Sequence, residues 1–180
     1  MQRVLLVGVL LLNAISVGDA KELPTGLTSM PARPHTVLWP ESVYAYSILV
    51  PPDWMTQETP DGAAFMVYPP DKSCAIAVSW VEFPKASGQT ADSMAANAAA
   101  GAKVEHFEAA GVGTISGTKG KAYSGRLQAD NSTWAIQSTY VQLRPTVWAI
   151  KVVKWRQTVS AAQRATCTAA SEGITLNYHH

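Results

Sequence analysis

Towards its carboxy end the chain carries two β-rich runs, Thr133 to Leu143 and Thr146 to Trp155, divided only by the turn-forming pair Arg144-Pro145. Neither run has a polar face. If Leu143 pairs with Thr146, one face of the hairpin holds Val141, Trp148, Ile150 and Val152, and the other holds Trp134, Ile136, Tyr140, Val153 and Trp155. A sheet that is apolar on both sides must be covered on both sides, by helices or by a partner. A single sheet with one wet face is therefore excluded for this region.

The rest of the chain supplies candidate covers. Lys21 to Pro40 holds Pro24, Pro31, Pro34 and Pro40 without an apolar period, and reads as an extended arm. Val43 to Val50 is a strand stopped by Pro51-Pro52, with Tyr44, Tyr46, Ile48 and Val50 on one side. Asp61-Gly62 and Pro69-Pro70-Asp71 are turns that bracket a short strand, Ala64 to Tyr68. Cys74 to Phe83 alternates next, with Cys74, Ile76, Val78 and Trp80 on one face, and the three strands are expected to form an antiparallel meander. The period then changes. Ala91 to Ala102 places Met94, Ala98 and Ala102 at helical spacing, with Thr90 or Asp92 as caps and Gly101 as a possible stop. Its small-residue face suits close packing on a sheet, where Met94 and Ala98 are expected to meet Cys74, Ile76 and Val78. Val104 to Ala110 suits either a second helical piece or a strand, and helix is the favoured reading. Strands are expected at Val112 to Gly117 and Lys121 to Ala129, ahead of the closing hairpin, and Val159 to Glu172 reads as a helix ending at Gly173.

The order is three strands, a helix, four strands and a helix. The expected fold class is α+β: an antiparallel sheet of about seven strands with the Ala-rich helix and the carboxy-terminal helix packed on it. The opening Tyr46-Ser47-Ile48-Leu49-Val50-Pro51-Pro52-Asp53-Trp54, the strand at Ala75 to Phe83, the Ala-rich helix, the Gly-marked Ile115 to Tyr123 and the closing hairpin and helix together resemble the PsbP-like fold superfamily. That resemblance spans most of the chain beyond the arm. It implies an exported accessory, adaptor or chaperone protein rather than an enzyme, and it assigns no site residue.

Residues 1–20 read as a secretory signal. Arg3 precedes the apolar run Val4 to Leu12, and the small residues of Val17-Gly18-Asp19-Ala20 precede Lys21. The run is shorter than the roughly 18 to 20 residues of a membrane span, and no later stretch comes closer. No cysteine follows the expected cleavage site near Ala20 to carry a lipid. The expected division is thus signal peptide 1–20, arm 21–40 and one domain 41–180, acting in the periplasm or outside the cell. In such an oxidising compartment, Cys74 and Cys167 are expected to form a disulfide. They lack the close companions that a zinc site uses, so no metal and no cofactor is expected.

Near-zero net charge conceals an uneven distribution. Five basic and ten acidic side chains fall between Lys21 and Thr118. Eight basic ones (Lys119, Lys121, Arg126, Arg144, Lys151, Lys154, Arg156 and Arg164) then face Asp130 alone up to Arg164. Spread over two hairpins, this excess is expected to offer Lys119, Lys121, Arg126, Lys151 and Arg156 to an acidic protein partner, with Lys151 and Lys154 on opposite faces of their strand. Nucleic acid is not expected as a partner.

Few motifs in the chain carry chemistry. Ser116-Gly117-Thr118-Lys119 fits S-x-x-K, but its glycines argue for a loop, and no S-D-N or K-T-G companion follows. Gly117 to Lys121 lacks the first glycine of a phosphate loop, that position being Ile115. His106, beside Glu105 and Glu108, reads as a solvated helix end. Asn131-Ser132-Thr133 is a glycosylation sequon at a turn tip. Six tryptophans remain, mostly on or beside strands, of which Trp54 and Trp155 are expected to be partly exposed and to bind a partner. The sequence thus points to a non-enzymatic, exported protein-binding protein, such as an adaptor or an immunity-type inhibitor of a delivered toxin. A glycan- or small-molecule-binding module using the tryptophans is the alternative, and a small hydrolase ranks third.

Overall fold

The structure, a computed structural model, describes residues 35–38, 44–58, 64–83 and 88–178. The signal and most of the proline-rich arm lie outside these residues. The elements run β1 (His35–Leu38), β2 (Tyr44–Val50), β3 (Met55–Glu58), β4 (Ala64–Tyr68), β5 (Cys74–Glu82), α1 (Ala91–Ala102), β6 (Glu105–Ile115), β7 (Thr118–Ala129), β8 (Ser132–Arg144), β9 (Val147–Arg156), α2 (Ala161–Glu172) and β10 (Thr175–Tyr178). Seven strands form one antiparallel sheet in the order β3-β4-β5-β9-β8-β7-β6, and a three-stranded sheet has the order β1-β2-β10.

Both faces of the central strands of the large sheet are buried, as the closing hairpin requires. On the first face, α1 sets Met94, Ala95 and Ala98 against Ala75, Ala77, Trp134, Ile136, Tyr140, Trp148 and Ile150. On the second, α2 and the small sheet set Cys167, Ala170, Ile174, Ile48 and Val50 against Cys74, Ile76, Val78, Val141, Ala149 and Val153. Alternation along β5 and β9 feeds these cores in turn. The α+β class and the seven-stranded antiparallel sheet with two helices are therefore as expected.

Four details differ from expectation. The run from Glu105 is a strand, because Lys103 takes a left-handed conformation (φ 56°) that ends α1 and lets the chain pair with β7. His106, at φ 50°, sits where the register shifts between Glu105 and Glu108. The strand at Tyr44–Val50 leaves the large sheet for the small one, and β3, which lacks an apolar period, takes the edge beside β4. Cys74, Ile76 and Val78 face α2, whereas Ala75 and Ala77 face Met94 and Ala98. Finally, a shift of register between Gln142 and Arg144 puts Val141 opposite Ala149 rather than Trp148. One residue of slip reverses a face, so Trp148 and Ile150 join Trp134 in the first core while Val141 joins the second.

Local chemistry fixes the helices. Thr90 caps α1 and Ser160 caps α2, each through a capping box with Ser93 or Gln163. Cys74 and Cys167 are bonded, with Cα atoms 6.6 Å apart across 93 residues of sequence, and so clamp α2 onto β5. Closing a loop of about 90 residues stabilises a chain by about 4 to 5 kcal/mol in the entropic account. Reduction should lower the unfolding free energy by about that much, read from urea curves with and without reductant, and an unchanged midpoint would mean the clamp is redundant.

The outer hairpin folds over at its tip. Gly113 lies opposite Gly120. A methyl group on Gly120 would meet the Tyr140 carbonyl, and one on Gly113 would lie 2.6 Å from Oγ1 of Thr139, two strands away. Contact at that range needs a sharply curled sheet, and the missing side chains allow it. Ile115 thereby reaches the second core. Gly120→Ala should cost about 2 to 3 kcal/mol, because backbone stands in the way and cannot yield as a side-chain tip could. A loss under about 0.5 kcal/mol in chemical denaturation would show that the tip relaxes freely.

Candidate functional site

The most exposed continuous element is the hairpin of β6 and β7. Nearly every side chain of β6 is exposed or half-exposed, and Val112 stands out at 71 %. Ser116 (φ 52°) and Gly117 (φ 75°) form its two-residue turn, so the S-x-x-K sequence lies on a hairpin tip. Lys119 and Lys121 lie on the face of β7 that carries Tyr123, and Arg126 lies on the other, by alternation. All three are exposed.

Lys121 has a partner from the acidic half of the sequence. Its Nζ donates to Asp92 Oδ2 at 2.5 Å while Tyr123 Oη donates to Oδ1 at 2.6 Å, tying the first turn of α1 to the sheet. These bonds, that from Lys121 foremost, hold the Asp92 carboxyl below its ordinary range. Burial first, then Asp92, pushes the Tyr123 hydroxyl up, and burial raises that of Tyr140 to about 12. The three rings of Phe107, Tyr123 and Tyr140 follow one another at 5.5 and 5.7 Å, stacked and then edge-on.

Two lysines expected near the surface are inside. Lys151, expected among the partner-binding residues, is 7 % exposed, and its Nζ donates to the carbonyls of Thr114 at 2.8 Å and Ser171 at 3.2 Å. It pins the folded hairpin tip to the last turn of α2, where a cation also suits the helix dipole. Burial lowers its affinity for a proton, offset in part by Glu172. Lys154, 1 % exposed, points to the opposite side, with Nζ 4.2 Å from the centre of the Trp134 ring. The Arg156 guanidinium stands 5.2 Å from that same ring.

The tryptophans divide likewise. Trp54, expected to be partly exposed, is 8 % exposed and packs in the second core with Ile48 and Val50, because the turn after Val50 folds it back under β2. Trp155 is half-buried, with the Arg164 guanidinium 5.7 Å over its ring. Trp155 thus meets Arg164 near the end of β9, while Arg156, on the opposite face of the strand, meets Trp134. Sequence reasoning missed Val112 and Arg164 because exposure depends on which strand lies at the sheet edge and where α2 docks. Among the described residues, no group of three or more His, Cys, Asp or Glu side chains could hold a metal ion, and no helix is long and apolar enough to cross a membrane.

No protein-family model and no curated protein sequence matches the chain. Solved structures do. A protein of Bacteroides thetaiotaomicron matches with TM-score 0.49 and 15 % identity over 75 % of this chain, which spans only 45 % of that one. LpqN, involved in cell envelope biogenesis of Mycobacterium tuberculosis, matches with TM-score 0.42 and 11 % identity over 79 % of this chain and 91 % of its own. The Saccharomyces cerevisiae Ran-binding protein Mog1p matches with TM-score 0.45 and 13 % identity over 72 % and 88 %. At these values the likeness assigns neither a family nor a function.

Lys154 gives a pH dependence whose sign is fixed. Burial, partly offset by Asp130, lowers its folded pKa to about 7, against about 10.4 in an unfolded chain. Between these values the unfolded state holds more protons, so stability should rise with pH, by up to roughly 4 to 5 kcal/mol at about 1.4 kcal/mol per unit. Lys154→Met should flatten the rise and be the more stable form at pH 6. Parallel urea-unfolding profiles of the two proteins would place the amine in contact with water.

Proposed function

We propose that this chain is a non-enzymatic, exported protein-binding domain, and that it takes its partner on the β6–β7 hairpin. The observation that carries the reading is the exposure of β6. Eleven residues at the edge of a seven-stranded sheet present Ala109, Ala110 and Val112 to solvent, and an open strand edge is a site of strand addition by another chain. Lys119 and Arg126 flank this edge from β7, and as exposed rim charges they suit an acidic partner whose approach they would accelerate. The inner lysines make no such contribution, so the docking surface is smaller than the basic excess of the sequence suggests.

The Cys74–Cys167 bond supports a site of action in an oxidising compartment. An adaptor or an immunity-type inhibitor would need this kind of rigid, exported scaffold. The glycan-binding alternative has less to work with, since Trp54 is buried and Arg164 lies over one side of Trp155.

A photocrosslinking residue in place of Val112, in protein exported by its own cells, should give a discrete heavier adduct that the same probe at Gln163 does not. Exchanging Lys119 and Arg126 for Glu should cut its yield by about tenfold at low salt and much less at high salt, where charges beyond about 8 to 10 Å are screened. Equal adducts from both positions, or none from Val112, would rule the hairpin out.

A further inference from the structure

The outward face of α2 has a built-in symmetry that the hairpin does not share. The helix carries only two charges, Arg164 and Glu172, and Thr168 lies midway between them, four residues from each. At about 1.5 Å per residue, each charge stands about 6 Å from that midpoint along the axis. All three line one shallow concavity with Ala161, Ala165 and Ala169, side chains small enough to let another helix approach closely. Only Cys167, Ala170 and Ser171 of the helix are buried. The two ends differ in kind. At one, Arg164 lies over half-buried Trp155. At the other, Leu49, 50 % exposed, sits against Gly173, where an added Cβ would be 3.5 Å from its own.

We infer that this face binds a second copy of the same chain, its α2 antiparallel to the first across a two-fold axis at Thr168. That operation sets Arg164 of each copy beside Glu172 of the other, twice, and brings the Leu49 end of each towards the Trp155 end of its mate. A surface that complements itself in this way closes as a dimer and leaves no unmatched end. A parallel arrangement would set like charge beside like. The disulfide on the buried side of α2 holds the helix in place before association, so little is lost in ordering it. Two three-turn helices bury less than the roughly 1,200 Å² of a standard interface, so the dimer is a weak one, with dissociation in the micromolar range.

Sedimentation equilibrium on the disulfide-intact protein tests this. The expected result is a monomer–dimer equilibrium below about 100 µM that weakens as salt rises. Arg164→Glu alone and Glu172→Arg alone should each weaken association by about tenfold, and the double exchange should restore it, since the pair is re-formed with its signs reversed. Both positions are exposed, and circular dichroism melting confirms the fold of each variant. Ala165→Arg, which crowds the crossing, should abolish the dimer, whereas Val112→Lys should leave it intact. A monomer at about 200 µM, or a dimer indifferent to both charge reversals or lost with Val112→Lys, overturns the assignment, whatever else the face is found to bind.

Discussion

The architecture follows from one constraint, that the central strands β5, β8 and β9 have no face to give to water. Ala75 and Ala77 of β5 look one way and Cys74, Ile76 and Val78 the other. Trp148 and Ile150 of β9 oppose Val147, Ala149 and Val153 in the same manner. Each side therefore demands a cover of its own, and the two covers differ. α1 is nearly all small residues and lies close. On the other side a helix, a three-stranded sheet and the tip of a hairpin share the task, because no single element there is broad enough. The chain is consequently layered, with its elements of least contact at the margins.

Two buried amines show how charge is absorbed in such a body. Lys151 donates to two carbonyls, one at the fold-over of β6 and one at the end of α2, and so joins three elements at a point. Lys154 instead lies over an indole face, where burial weighs against its charge. One lysine stabilises the assembly as a hydrogen-bond donor. The other ties its stability to the proton concentration.

Much of this was legible in sequence, and the failures have physical causes. Period and punctuation located β2, β4, β5, both helices and the last hairpin, since alternation and Pro or Gly stops are local properties. The disulfide partners were given by having two cysteines only. The assignment of faces failed at Leu143, because the slip of one residue between Gln142 and Arg144 belongs to the pairing and not to either strand alone. The strand character of Glu105 to Ala110 was hidden for a related reason: its apolar content suits either state, and pairing with β7 decides. Of the expected site residues, Trp54 and Lys151 turned out to be structural, because long amphipathic side chains beside a strand look alike in sequence whichever way they point. The exposure of Lys119, Lys121 and Arg126 followed the expectation, as did the opposite facing of Lys151 and Lys154.

The position of the disulfide has a further consequence. Everything from α1 to β9 lies between Cys74 and Cys167, including the three hairpin turns that join β6 to β9 and the outward strand β6. A protease that cuts once at Ser116 or Asn131, the exposed turns where cleavage concentrates, would therefore release nothing. The two pieces would stay bonded through β5 and α2, on opposite sides of the break, and the strands flanking the cut would remain anchored in both cores. Wherever hydrolases are abundant, such a chain would be protected against the commonest form of damage by its connectivity, without having to hide its loops.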